Sequence, residues 1–129
     1  MEEILAAVRP VFQGFPEVKL AYLFGSQATG SAGPLSDFDF AVYLVEDDPH
    51  RQFEIRCALL EQLSRLLETD RVEVLVLNQA EGPELKYRVI ATGLLLHEVE
   101  PFRLLVEPRI LNEYFDFRSL LRRHGLTRA

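Results

Sequence analysis

The sequence predicts an α/β domain in which a small mixed sheet is flanked by helices. Three observations carry that expectation. Stretches with apolar residues every three or four positions alternate with short apolar runs, in the order α-β-β-α-β-α-β-α. Apolar residues make up 48% of the 129, enough for one core of ordinary size. There is no internal repeat, low-complexity tract or long linker, so residues 1–129 are read as a single domain.

Each element has its own signal. Ile4, Leu5, Val8 and Val11/Phe12 give residues 2–12 the spacing of an amphipathic helix, and Gly14 and Pro16 break the chain after it. Residues 19–24 are a short apolar run ending at Gly25 and read as the first strand. Residues 26–36 contain two glycines, three serines and a proline and read as a loop. Residues 38–45 form the second strand, apolar on both sides beyond its start, as in a strand buried within a sheet.

Asp47 or Asp48 is placed to cap the next helix, with Pro49 at its first position. Phe53, Ile55/Arg56, Leu59/Leu60, Leu63 and Leu66/Leu67 carry a 3.6-residue period through residues 51–68. VEVLVL, residues 72–77, is the third strand, and residues 83–92 are a helix stopped by Gly93. Residues 94–99 are the fourth strand. After Pro101 a helical segment runs to about Arg123, with Pro108 marking an interruption.

Charge and cysteine content narrow the function. The net charge is −6 and the pI about 5.1, which argues against a general polynucleotide binder but leaves room for a nucleotide that arrives with a divalent cation. Cys57 is the single cysteine, so no intrachain disulfide forms and no zinc cluster exists; a reducing cytoplasm is the expected setting. The opening MEEILAAVRPVF is acidic and broken by Pro10, unlike a signal peptide, and no apolar run approaches a membrane span.

The most informative stretch is LFGSQATGSAGPLSDFDFAVYLV. Gly25-Ser26 closes the first strand, ten residues follow, and Asp37-Phe38-Asp39 opens the second. Side chains alternate along a strand, so Asp37 and Asp39 share a side, where they repel unless a cation or proton lies between them. The Gly-Ser turn offers backbone N–H groups and a hydroxyl to an anion. A cation site beside an anion site is what a metal–nucleoside triphosphate requires.

Glu73 interrupts the third apolar strand, where an unpaired buried charge would cost several kcal/mol, of order 5. With strand three beside strand two, Glu73 joins Asp37 and Asp39. Oxygen-only donors select Mg²⁺ or Mn²⁺. Singly, each acid has an ordinary explanation: Asp37 as a turn cap, Asp39 as half of an ion pair, Glu73 as a charge at a strand start. The full order of strand, Gly-Ser, loop, D-x-D, helix and third-strand acid is far less ordinary.

The G-S-x10-D-x-D order resembles the signature of the DNA polymerase β-like nucleotidyltransferase superfamily. The short chain resembles its minimal (MNT) branch, which includes MntA-type antitoxins paired with HEPN-domain toxins. The resemblance covers residues 18–98, through LAYLFGSQATGSAGPLSDFDFAVYL and RVEVLVLNQAEGPELKYRVIATGLLLHE, and less specifically the C-terminal helical segment, about 101–123. It implies a nucleotidyltransferase fold. It also implies Mg²⁺-dependent transfer of NMP, AMP above all, from an NTP such as ATP to an acceptor hydroxyl, the acceptor being a tyrosine of a HEPN toxin. By the same resemblance Gly25 and Ser26 contact the triphosphate, Asp37 and Asp39 bind metal, and Glu73 is the third carboxylate, where the family usually carries Asp. Two alternatives stand beside this reading: an antitoxin that acts by binding alone, and an enzyme whose acceptor is a small hydroxylated molecule.

Other residues read as structural. His50, His97 and His124 fit no ligand spacing, and His97 reads as a satisfied histidine within a strand. Cys57 reads as core. Ser26 has no His/Asp partner pattern, and the Gly-Ser loop lacks the Gly-Lys-Ser/Thr of a P-loop. Arg118, Arg122, Arg123 and Arg128 read as a solvated basic helix end, and Tyr114, Phe115 and Phe117 as core or interface.

Overall fold

A computed structural model of the chain describes residues 1–33, 36–80 and 82–126. Its elements are α1 (Glu2–Gln13), β1 (Val18–Phe24), α2 (Ser26–Thr29), β2 (Phe38–Leu44), α3 (Pro49–Leu67), β3 (Val72–Val76), α4 (Pro83–Thr92), β4 (Leu94–Glu98) and α5 (Phe102–Arg123). The four strands form one sheet in the order β3-β2-β1-β4. β1 is antiparallel to both β2 and β4, while β2 and β3 are parallel, so the sheet is mixed.

Strand alternation sorts side chains onto two cores. Ala21 and Leu23 of β1, Phe40, Val42 and Leu44 of β2, and Val72, Val74 and Val76 of β3 pack against Leu5, Val8 and Phe12 of α1 and Ile55, Leu59 and Leu63 of α3. The opposite face carries a smaller cluster: Leu20 and Tyr22, Ala41 and Leu77, covered by Val89 of α4 and by Val106 and Ile110 of α5. α4 and α5 reach β1 and the middle of the sheet. They leave the start of β2 and β3 uncovered on that face, and this is where Asp39 and Glu73 lie.

Three features depart from the sequence reading. Residues 26–36 are not all loop: Ser26–Thr29 form one helical turn, α2, closed by Gly30 in the left-handed conformation; Pro34 and Leu35 of that stretch lie outside the described residues. The buried stripe of α3 is Gln52, Ile55, Leu59 and Leu63, while Phe53 and Cys57 are exposed. Gln52 wins the inward position because its amide satisfies the Glu46 carbonyl and accepts from Gln79. Cys57 is therefore surface, not core. Finally, Pro108 does not interrupt α5, which is continuous through it. The expected caps hold for Asp48, whose side chain accepts from the His50 N–H. His97 is satisfied as expected, its Nε2 lying 3.2 Å from the Val18 carbonyl oxygen.

Candidate active site

The site is assembled by register. Phe24 on β1, Asp39 on β2 and Glu73 on β3 are direct partners across the sheet. Adjacent strands lie about 4.8 Å apart, so Asp39 and Glu73 start from neighbouring backbone positions on one face. Asp37, two residues before Asp39, is held at the mouth of β2, where the Phe38 N–H donates to the Arg71 carbonyl. Gly25 follows Phe24 with φ 75° and ψ −157°, a backbone region open essentially to glycine alone. The sharp turn there starts α2 and lays the Gly25 backbone directly on the Asp39 carboxylate.

The electrostatics match three acids held near one another. The Asp39 carboxyl is pushed above its ordinary range, first by burial and then by the negative charges of Asp37 and Glu73. Asp37 and Glu73 themselves are exposed, and each is paired with an arginine: Arg71 Nη1 lies 3.9 Å from Asp37, and Arg56 Nη2 lies 3.8 Å from Glu73. Arg56 is anchored by its Nε, which donates to the Val74 carbonyl at 2.8 Å. Glu73 thus escapes the cost of an unpaired buried charge. β3 is an edge strand, and its side chain reaches solvent with 66% of its surface accessible.

Among the described residues no group of three His, Cys, Asp or Glu side chains is closed around a point that could hold a metal ion. The donor chemistry nonetheless suits a hard divalent cation: oxygen donors only, a strained negative charge at Asp39, and arginines standing where positive charge is needed. The sequence reading named the acids and the Gly-Ser turn. It missed Arg56 and Arg71, whose only sequence signal is a basic residue on an otherwise periodic helix and another just before strand three.

The family model for polymerase β and related nucleotidyltransferases matches residues 7–101. The chain belongs to this nucleotidyltransferase family. All of the site's named acids and the Gly-Ser turn fall inside the matched region.

Solved structures agree on the fold. A toxin–antitoxin complex with AMP-PNP contains a chain with a TM-score of 0.72 and 24% identity, covering 94% of this chain and 92% of that one. A tri-AMPylated Shewanella oneidensis HEPN toxin in complex with its MNT antitoxin matches at 0.70 and 21%, covering 94% and 92%. An MntA-HepT toxin–antitoxin matches at 0.69 and 21%, covering 95% and 93%. No curated protein sequence matches.

Tyr114, Phe115, Phe117, Arg118, Arg122 and Arg123, also singled out from the sequence, lie on α5. Tyr114 stacks on Tyr87 at 3.9 Å between ring centroids, joining α5 to α4. Arg118 is not a solvated helix end: it is half-buried over the Tyr114 ring and donates to the Tyr114 hydroxyl. Arg122 and Arg123 are exposed, and Arg128 lies outside the described residues. Among the described residues no helix is long and apolar enough to cross a membrane.

Proposed function

We propose that this protein transfers a nucleoside monophosphate, AMP from ATP, to a tyrosine hydroxyl of a HEPN-type toxin and so acts as that toxin's antitoxin. The observation that carries the proposal is the row Phe24–Asp39–Glu73, closed by Gly25 on one side and Asp37 on the other, in a chain of the nucleotidyltransferase family. The partner is suggested by the fold this chain shares with a toxin–antitoxin crystallised with AMP-PNP and with an AMPylated HEPN toxin in complex with an MNT antitoxin.

In this reading Asp37, Asp39 and Glu73 hold Mg²⁺ or Mn²⁺, which supplies charge neutralisation at the triphosphate and at the leaving pyrophosphate. Gly25 and Ser26 receive the triphosphate through backbone N–H groups and the Ser26 hydroxyl. The acceptor oxygen attacks the α-phosphorus in line. The new O–P bond forms as the bridge to the β-phosphate breaks, and pyrophosphate leaves with the bonding electrons. The hydroxyl proton passes to the Glu73 carboxylate, which is exposed where an incoming acceptor would arrive.

The test is incubation of the protein with α-labelled ATP, Mg²⁺ and the HEPN protein encoded beside it. Label appears on the HEPN protein, is lost on chelation, and is absent with Asp37→Ala and Asp39→Ala. Labelling that persists in Asp39→Ala, or that never appears with the wild type, overturns the proposal.

A further inference from the structure

α5 presents two different sides. Val106 and Ile110 are buried on the sheet. On another side Leu104, Pro108, Leu111, Phe115, Arg118 and Arg122 recur at intervals of four, three, four, three and four. One helix packs along another at that spacing. The seam runs about 27 Å along the axis, at 1.5 Å per residue. Its apolar half is open: Leu104 is 77% and Phe115 57% exposed.

The two ends of the seam differ in charge. A groove of about 480 Å³ lies beside the first end, between the end of β4 and α5. Leu104, Pro108 and Leu111 give it an apolar wall, and Glu98, Glu100 and Glu107 line it with acids. Arg103 is the one base between residues 98 and 107, and it is paired with Glu98 and Glu107. The other end is basic: from Arg118 to Leu126 the chain carries three arginines and no acid.

We propose that a second copy of this chain covers the seam, with the two α5 helices antiparallel about a two-fold axis. Leu111 then meets the partner's Phe115, and Arg122 lies beside the partner's Glu100. Antiparallel pairing sets each basic end on the other copy's acidic end, whereas parallel pairing sets like on like. A two-fold contact uses one patch twice, and this patch suits that use because its halves complement each other. A basic peptide matches only the groove, and a polyanion only the arginines. The groove adjoins β4, at the opposite edge of the sheet from β3, so the pair leaves Glu73 open. The pairing is independent of the transfer chemistry.

Sedimentation equilibrium of the full chain, from micromolar to millimolar concentration, shows the mass rising from 14.8 kDa toward twice that value. Arg122→Glu weakens the pair roughly tenfold or more, because two-fold symmetry repeats the like-charge contact at both ends. Glu100→Arg does the same, and the two together restore pairing. Both positions are exposed, so the fold is kept, and circular dichroism checks it. Leu104→Glu leaves a monomer. A chain that stays at 14.8 kDa throughout, a dimer that Leu104→Glu and Arg122→Glu leave intact, or a double exchange without recovery overturns the proposal. A chain that is monomeric alone and needs Leu104 to bind the HEPN protein overturns it too, since that protein then covers the seam.

Discussion

Gly25 and Asp39 are packed backbone against carboxylate: a Cβ built on Gly25 would stand 2.5 Å from Asp39 Oδ2. The turn that ends β1 therefore sets where the central acid of the site points. Gly25→Ala meets two penalties at once. Its backbone region is closed to L-residues, which costs about 1–3 kcal/mol, and its methyl displaces Asp39. Urea denaturation is expected to show that loss of stability, and AMP transfer is expected to fall much further than the stability change explains. A Gly25→Ala protein with wild-type transfer would show that Asp39 is not held by this contact.

Asp39 itself carries unfavourable charge in the folded chain. Its carboxyl titrates above its ordinary 3.8, because of burial first and the neighbouring Asp37 and Glu73 second. A raised carboxyl favours the fold when protonated: its contribution is fully present below the unfolded value and is lost as pH rises through the folded one. Without divalent cation, Asp39→Asn should therefore be more stable than the wild type at pH 7. The difference should be up to about 1 kcal/mol given solvent screening, and should vanish as pH falls below the ordinary carboxyl value. Adding Mg²⁺ should raise the melting temperature of the wild type and leave Asp39→Asn unmoved. Thermal scans at pH 4 and pH 7, with and without Mg²⁺, decide both points.

Glu73 separates chemistry from stability. Its side chain is mostly in solvent, and an exposed pair such as that with Arg56 contributes about 0–1 kcal/mol. Glu73→Gln should thus melt with the wild type yet lose transfer by roughly 10²–10⁴-fold, the range for removal of a proton acceptor. Glu73→Asp keeps the carboxylate and should retain more activity than Glu73→Gln. Equal activities for Glu73→Gln and the wild type in a labelled-ATP assay would remove Glu73 from the site.

The fold was legible where period and punctuation agreed. All four strands and the four long helices follow from alternation, apolar spacing and breakers such as Gly14, Gly25 and Gly93. The candidate acids stood out because the full order of Gly-Ser turn, D-x-D at the head of one apolar strand and a glutamate in another is less ordinary than any of them singly. What sequence alone concealed was decided by tertiary partners. Gln52 took the buried position in α3 over Phe53 because the Glu46 carbonyl and Gln79 satisfy its amide. For Glu73 the sequence left an ion pair, a site and a solvated strand end open, and only the strand order, with β3 at the edge, together with Arg56 decides its surroundings. Pro108 sits inside α5 without ending it, and Arg56 acquires its meaning only once α3 packs across β3.

The same dependence on long-range partners governs how α5 is held on the sheet. The Tyr22 hydroxyl of β1, on a residue 2% exposed, donates to Glu107 of α5, and Arg103 Nε donates to the same carboxylate at 3.1 Å. Burial, then the bond to and charge of Glu107, push the phenol above its ordinary 10.0. By the sign rule for a raised group, that contribution is intact below pH 10 and is lost progressively above it. Tyr22→Phe removes the donor and leaves Glu107 with Arg103, costing about 1–2 kcal/mol. Glu107→Leu strands a buried hydroxyl and costs about 1–3 kcal/mol. If the two residues act as a pair, the double variant is less destabilised than the sum of the singles, and the alkaline loss of stability disappears in Tyr22→Phe. Additive single effects in urea titrations would mean that Tyr22 and Glu107 are not coupled and that α5 is held by its other contacts, Val106 and Ile110 on the sheet and Tyr114 on Tyr87 among them.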